Sequence, residues 1–108
     1  MKNKTSMSHD DIMTRKLKEN PTFAAEYLKA ALEDAEEPKV LLIALRRIAE
    51  ARGGVAKIAK AAGVERESLY RALSPSGNPR LSTLMAVTRA MGLLLTVQTP
   101  QVHTAHAR

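Results

Sequence analysis

From residue 21 onward the apolar positions recur at helical spacing. In NPTFAAEYLKAALEDAEEP, Phe23, Tyr27, Ala30 and Ala31 fall on one stripe, with Thr22 as the expected N-cap. Pro38 closes that segment and suits the first turn of the next, where its missing N–H is no loss. PKVLLIALRRIAEARGG places Val40, Leu41, Ala44, Leu45, Ile48 and Ala49 at i, i+3 and i+4, which predicts a helix with a broad buried face. Arg46, Arg47 and Glu50 sit elsewhere on that wheel. Gly53 is the expected stop.

Two shorter apolar sets follow. Val55, Ile58, Ala59 and Ala62 share one face, and Leu69, Ala72 and Leu73 share another, with Gly63 and Val64 between them. Ser74–Pro79 is rich in turn formers and reads as a loop. Ser82 is placed to cap a last helix, with Leu84, Val87, Thr88 and Met91 on one face and Gly92 at its end. LLLTVQT is short, apolar and partly β-branched, which predicts a strand. The flanks are polar. Residues 1–20 read as a flexible N-terminal arm, residues 21–98 as one domain, and residues 99–108 as a flexible tail. The expectation is therefore an all-α fold of five helices with a short C-terminal strand.

Composition narrows the classes. The 108 residues include no Cys, no Trp and one Phe, so Leu, Ala, Val, Ile and Met must build the core. That mix favours helices over a β-sandwich. The lack of Cys rules out disulfides and thiolate metal sites and fits a reducing cytoplasm, the expected location. The first residues have no apolar signal-like run, and no stretch approaches the length of a membrane span.

The net charge of +6 is unevenly spread. Residues 1–38 carry six basic and eight acidic side chains, and residues 39–80 carry nine basic and three acidic. A basic block on a folded domain is what a polyanion partner requires, although surplus solvated Lys and Arg would look the same.

The spacing in VAKIAKAAGVERESLYRALS separates those readings. Two helices crossing steeply over a short turn need a small residue at the crossing, a residue tolerant of positive φ at the corner, and apolar plugs around them. Ala59, Gly63 and Val64 meet those needs, and Ile58, Ala62, Leu69 and Ala72 supply the apolar places. The pattern is that of a helix-turn-helix, with the second helix as the recognition helix.

Its outward residues are then Glu65, Arg66, Glu67, Ser68, Tyr70 and Arg71. Arg66 and Arg71 suit guanine edges or phosphates, and Ser68 and Tyr70 suit phosphates. Glu65 and Glu67 are repelled by phosphate unless they accept from cytosine N4 or hold an Arg. Lys57 and Lys60 lie on the preceding helix, which crosses the backbone, and Arg80 follows the loop within reach of a flanking phosphate. The alternative for each is a solvated side chain on an exposed helix.

An enzyme would need converging polar groups. His9, His103 and His106 lie in the predicted flanks. No phosphate-cradling glycine loop and no nucleophile–base pair is present. No enzyme activity, metal site or cofactor is expected.

From about Pro21 to Thr99 the chain resembles the HigA-like antidote proteins of toxin–antitoxin modules, which carry a lambda-repressor-like (Cro/C1-type) helix-turn-helix domain. The resemblance rests on FAAEYLKAALED, the run PKVLLIALRRIAEARGGVAKIAKAAGVERESLYRALS, and NPRLSTLMAVTRAMGLLLTV. It implies an antitoxin that binds and silences a small RelE/HigB-like mRNA-cleaving toxin. It also implies a homodimer that represses its own operon by binding operator DNA. Glu65 stands where many relatives carry a small polar cap, and no toxin contact is assigned by a motif.

On physical grounds a small helix-turn-helix gains useful specificity by pairing on two half-sites. LLLTVQ is a candidate dimer edge. The acidic, aromatic-bearing Thr22–Glu37 helix suits a basic toxin by charge. Two other readings are a stand-alone phage-type repressor and a protein-interaction module that keeps the helix-turn-helix as scaffold.

Overall fold

The computed structural model describes residues 8–33 and 37–100. Among the described residues six helices follow one another: α1 His9–Glu19, α2 Pro21–Glu33, α3 Pro38–Ala51, α4 Val55–Ala62, α5 Arg66–Ala72 and α6 Leu81–Ala90. The all-α expectation holds. The count of five does not, because α1 lies inside the segment expected to be an arm. Ser8 starts it: the Ser8 hydroxyl accepts from Asp11 N–H at 3.0 Å. Asp10 and Asp11 stand in its first turn and Lys16 and Lys18 in its last, each sign matched to the helix dipole. Only Leu17 is fully buried, at 1% exposure. One anchor in an otherwise polar helix is a weak periodic signal, which is why the pattern missed it. Residues 1–7 and 101–108, with His103 and His106, lie outside the described residues, as do residues 34–36.

Helix α2 is capped by Asn20, not Thr22. The Asn20 side-chain oxygen accepts from Phe23 N–H at 3.0 Å and its carbonyl from Ala24 N–H at 3.0 Å. Pro21 then occupies the first helical position, which suits its fixed φ. The buried face is also turned relative to expectation. Ala24 and Leu28 are buried, Phe23, Tyr27 and Ala31 flank them half-buried, and Ala30 is exposed. The small Ala24 allows the closest approach of a neighbouring helix, and the larger rings fit only at its edge. Lys16 of α1 lies over the Phe23 ring, 5.4 Å from its centroid.

Helix α3 is the hub, packing against α1, α2 and α4. It buries Leu42, Ala44, Leu45, Ile48, Ala49 and Ala51, with Leu41 packed alongside. Leu42 and Ala51 widen the expected arc because three helices cover α3 from different sides. At its end Arg52 turns inward. The Arg52 Nε donates to Leu17 O at 3.0 Å, and its Nη1 donates to Met91 O at 3.2 Å. One guanidinium thus joins the C-terminal ends of α1, α3 and α6, where helix dipoles leave negative charge.

Helix α6 packs on α4 and begins at Leu81 after Arg80, whose carbonyl accepts from Leu84 N–H at 2.9 Å. Ser82 therefore sits inside the first turn and is not the cap. Val87, Thr88 and Met91 are buried, and the Thr88 hydroxyl is satisfied by Leu84 O at 2.9 Å. Beyond Gly92 the chain runs through residues 93–100 without regular secondary structure. The expected strand is not formed. A strand exists only by pairing, and the described residues contain no second strand to pair with.

Arg52→Ala leaves the carbonyls of Leu17 and Met91 without their charged donor. We expect it to lower unfolding free energy by about 2–3 kcal/mol, read by urea denaturation. Leu17→Ala tests whether α1 belongs to the cooperative unit. A loss of about 2–4 kcal/mol is expected, and a loss near zero would mean that α1 frays independently.

Candidate nucleic-acid interface

The α4–turn–α5 unit is built as its spacing requires. Val55, Ile58 and Ala59 are buried on α4, at 3%, 3% and 1% exposure. Gly63 takes φ +73°, left-handed, and ends α4. Val64 N–H then reaches back to Ala59 O at 2.9 Å, closing the helix end, while the Val64 side chain packs against the core. Glu65 is extended (φ −64°, ψ 136°) and α5 starts at Arg66. Leu69 and Leu73 are buried and Ala72 packs beside them, so α5 is held by one face only. The loop after it is tight. A Cβ on Gly77 would overlap the Ala72 carbonyl oxygen, so glycine is needed there for backbone approach.

The free face of α5 carries the predicted residues. Glu65, Arg66, Glu67, Tyr70 and Arg71 are exposed and Ser68 is half-exposed. Three of them form a chain along one side. The Ser68 hydroxyl donates to Glu65 Oε1 at 2.9 Å, and Arg71 Nη2 donates to Ser68 Oγ at 3.5 Å, a long bond. Glu65 thus engages a side chain of its own helix; it does not cap the backbone. Ser74 Oγ donates to Arg71 O at 2.7 Å and finishes the helix end.

Lys57 and Lys60 are exposed on α4, and the Lys57 stem lies beside Gly53. Arg80 is exposed at the start of α6, and no described contact ties it to α5.

One cation was not in the predicted set. Arg46 of α3 lies over the Tyr70 ring, 5.5 Å from its centroid, and its Nε pairs with Glu50 Oε2 at 3.1 Å. The contact is worth about 0.5–1 kcal/mol at an exposed site, so it orients Tyr70 more than it stabilises the fold. On the helical wheel Arg46 reads only as a residue off the apolar face. Nothing in the local pattern distinguishes it from Arg47, which pairs loosely with Asp10 at 3.7 Å. Only the folded chain, which brings Tyr70 beside Arg46, makes that distinction.

The described residues hold no group of three His, Cys, Asp or Glu able to bind a metal ion. None of their helices is long and apolar enough to cross a membrane.

Comparison with known proteins supplies the family. The model of a family described as "probable addiction module antidote protein" matches residues 7–99. This chain belongs to that family. The match to the antidote family begins before Pro21, so it takes in α1 as well as the α4–turn–α5 unit and the irregular segment after α6. An uncharacterised protein of Haemophilus influenzae is similar too, 43% identical over 72 residues, which is 67% of this chain and 72% of that protein. No solved structure gives a significant match. An addiction-module antidote acts on a toxin, so membership implies a toxin partner and a regulatory rather than an enzymatic role.

Gly63 tests the corner by conformation alone, because a Cβ there meets nothing within 4 Å. Gly63→Ala is expected to cost about 1–2 kcal/mol in thermal or urea unfolding, the penalty of a left-handed non-glycine residue. Gly63→Asn should cost less. Equal losses in the two variants would show that crowding, not φ, sets the requirement.

Proposed function

We propose that this antidote is the antitoxin of a HigA-like module that both silences its toxin and represses its own operon. In this reading the α4–α5 unit is a lambda-repressor-like (Cro/C1-type) helix-turn-helix. The toxin is of the RelE/HigB-like, mRNA-cleaving class. A homodimer presents two copies of α5 to two operator half-sites in successive major grooves. The observation that carries the reading is the geometry of α5. It is anchored by Leu69 and Leu73 with Ala72 beside them, and Glu65, Arg66, Glu67 and Arg71 stand exposed on its opposite side.

Arg66 reads base edges from the first turn of α5, and Arg71 does so or clamps a phosphate. Glu65 organises the Ser68–Arg71 pair, which gives an acidic residue a use on a surface that meets phosphates. Tyr70, backed by Arg46, contacts the DNA backbone. Lys57 and Lys60 contact the strand that α4 crosses, and Arg80 a flanking phosphate. Glu67 accepts from cytosine N4. Toxin binding falls to the acidic N-terminal half, with α2 presenting Glu26, Glu33 and the half-buried Phe23 and Tyr27 to a basic partner.

The test is a mobility shift on the DNA upstream of the reading frame, with random DNA as competitor, at two salt concentrations. Arg66→Ala with Arg71→Ala should abolish the specific shift and leave toxin capture intact. Lys57→Ala should weaken binding to specific and random DNA alike and lessen the salt dependence by about one counterion. Wild-type protein showing no preference over random DNA would overturn the repressor half of the reading. Capture of the toxin would then stand alone and favour the interaction-module alternative.

A further inference from the structure

The segment after α6 combines features that a finished monomer surface does not need. Leu93 N–H donates to Thr88 O at 2.9 Å, and beyond it residues 94–100 make no described backbone hydrogen bond. The run LLLTVQTP contains no charged residue. Edges that must stay single are usually guarded by charge. Its side chains alternate at the start: Leu93 and Leu95 are half-buried, while Leu94 and Thr96 are exposed, Leu94 by 65%. Val97 is almost wholly in solvent, at 97%. Between this run and α2 lies an open groove of about 490 Å³, whose α2 wall carries Ala25, Leu28 and Leu32 together with Glu26, Lys29 and Glu33.

We propose that Leu94–Gln98 pairs antiparallel with the same segment of a second copy, forming a two-stranded ribbon about a two-fold axis. Leu94, on one face of the ribbon, and Val97, on the other, would each lie beside the partner copy's strand. Self-pairing is favoured over a foreign strand because the run is uncharged, so a copy of itself brings no like charges together. A two-fold contact also closes, leaving no repeating edge for further copies. Seven residues from Leu93 to Thr99 span roughly 23 Å of strand, enough for a short ribbon but only when paired. This rests on the homodimer reading above and adds the surface that makes the dimer.

The full chain is first sized by sedimentation velocity at tens of micromolar, alone and with Leu94→Lys plus Val97→Lys. Both side chains are exposed in the single chain, so the variant should keep its helical circular dichroism. Pressing two like charges per copy into the contact should weaken self-association by at least about a hundredfold. Because the chain has no cysteine, single substitutions to Cys at each position from Leu94 to Gln98 then report the register. Oxidative cross-linking should be strong at one or two adjacent positions near the axis and fall off on both sides.

A monomeric wild type would sink the homodimer reading itself. A wild-type dimer that persists in the double-Lys variant would leave that reading standing and overturn this surface, assigning the segment to another occupant such as the toxin. Uniform cross-linking along the segment would indicate parallel pairing and also overturn the proposal.

Discussion

Arg52 is the contact on which the rest of the domain's arrangement depends. Helix α3 can pack on α1, α2 and α4 through its apolar arc, yet apolar packing alone leaves rotation and sliding of those helices weakly fixed. The guanidinium adds direction. Its bonds to Leu17 O and Met91 O tie the ends of the first and last helices to the end of the hub. Each bond is charge-assisted and lies in a partly buried place, so each exceeds an ordinary surface ion pair in strength. The surface pair Arg47–Asp10, at 3.7 Å and with both side chains largely exposed, contributes little by comparison. Because α6 is held at both Met91 and its buried face, it provides a fixed wall for α4.

That wall is what positions the α4–turn–α5 unit. Helix α4 is pressed between α3 and α6, and α5 hangs from α4 through the left-handed corner at Gly63. A seven-residue helix has no stability of its own in water. Leu69 and Leu73 hold it by a single buried face, which leaves Glu65, Arg66, Glu67 and Arg71 exposed on the other side. The same constraint that stabilises the helix exposes the surface proposed to read DNA. Within that surface the side chains already organise one another, through Glu65–Ser68–Arg71 on α5 and Arg46–Tyr70 across helices. Side chains held in place before binding lose less freedom on binding.

Charge divides the chain, with most acids before residue 39 and most cations after it. The antidote family joins both halves in one match, from residue 7 to residue 99.

The sequence by itself determined the helices whose signals are local. Pro38 opened α3, Gly63 ended α4, and the Ile58–Ala59–Val64–Leu69 spacing specified two crossing helices and their outward residues. Those features depend on backbone conformation and on one helix face, both of which short-range pattern encodes. It also held the start of α1, since Ser8 with Asp11 three residues later is a capping pattern; a single buried Leu17 was too little periodicity to reveal the helix beyond it. Tertiary structure decided the rest. It turned the α2 face toward Ala24 and Leu28, and brought Arg46 to Tyr70 and Arg52 to two distant carbonyls. Each of these is set by which helix lies across which, a relation between residues far apart in the chain. The segment after Gly92 shows the same limit from the other side. Its residues favour a strand, but a strand needs a partner's backbone, and the described chain supplies none.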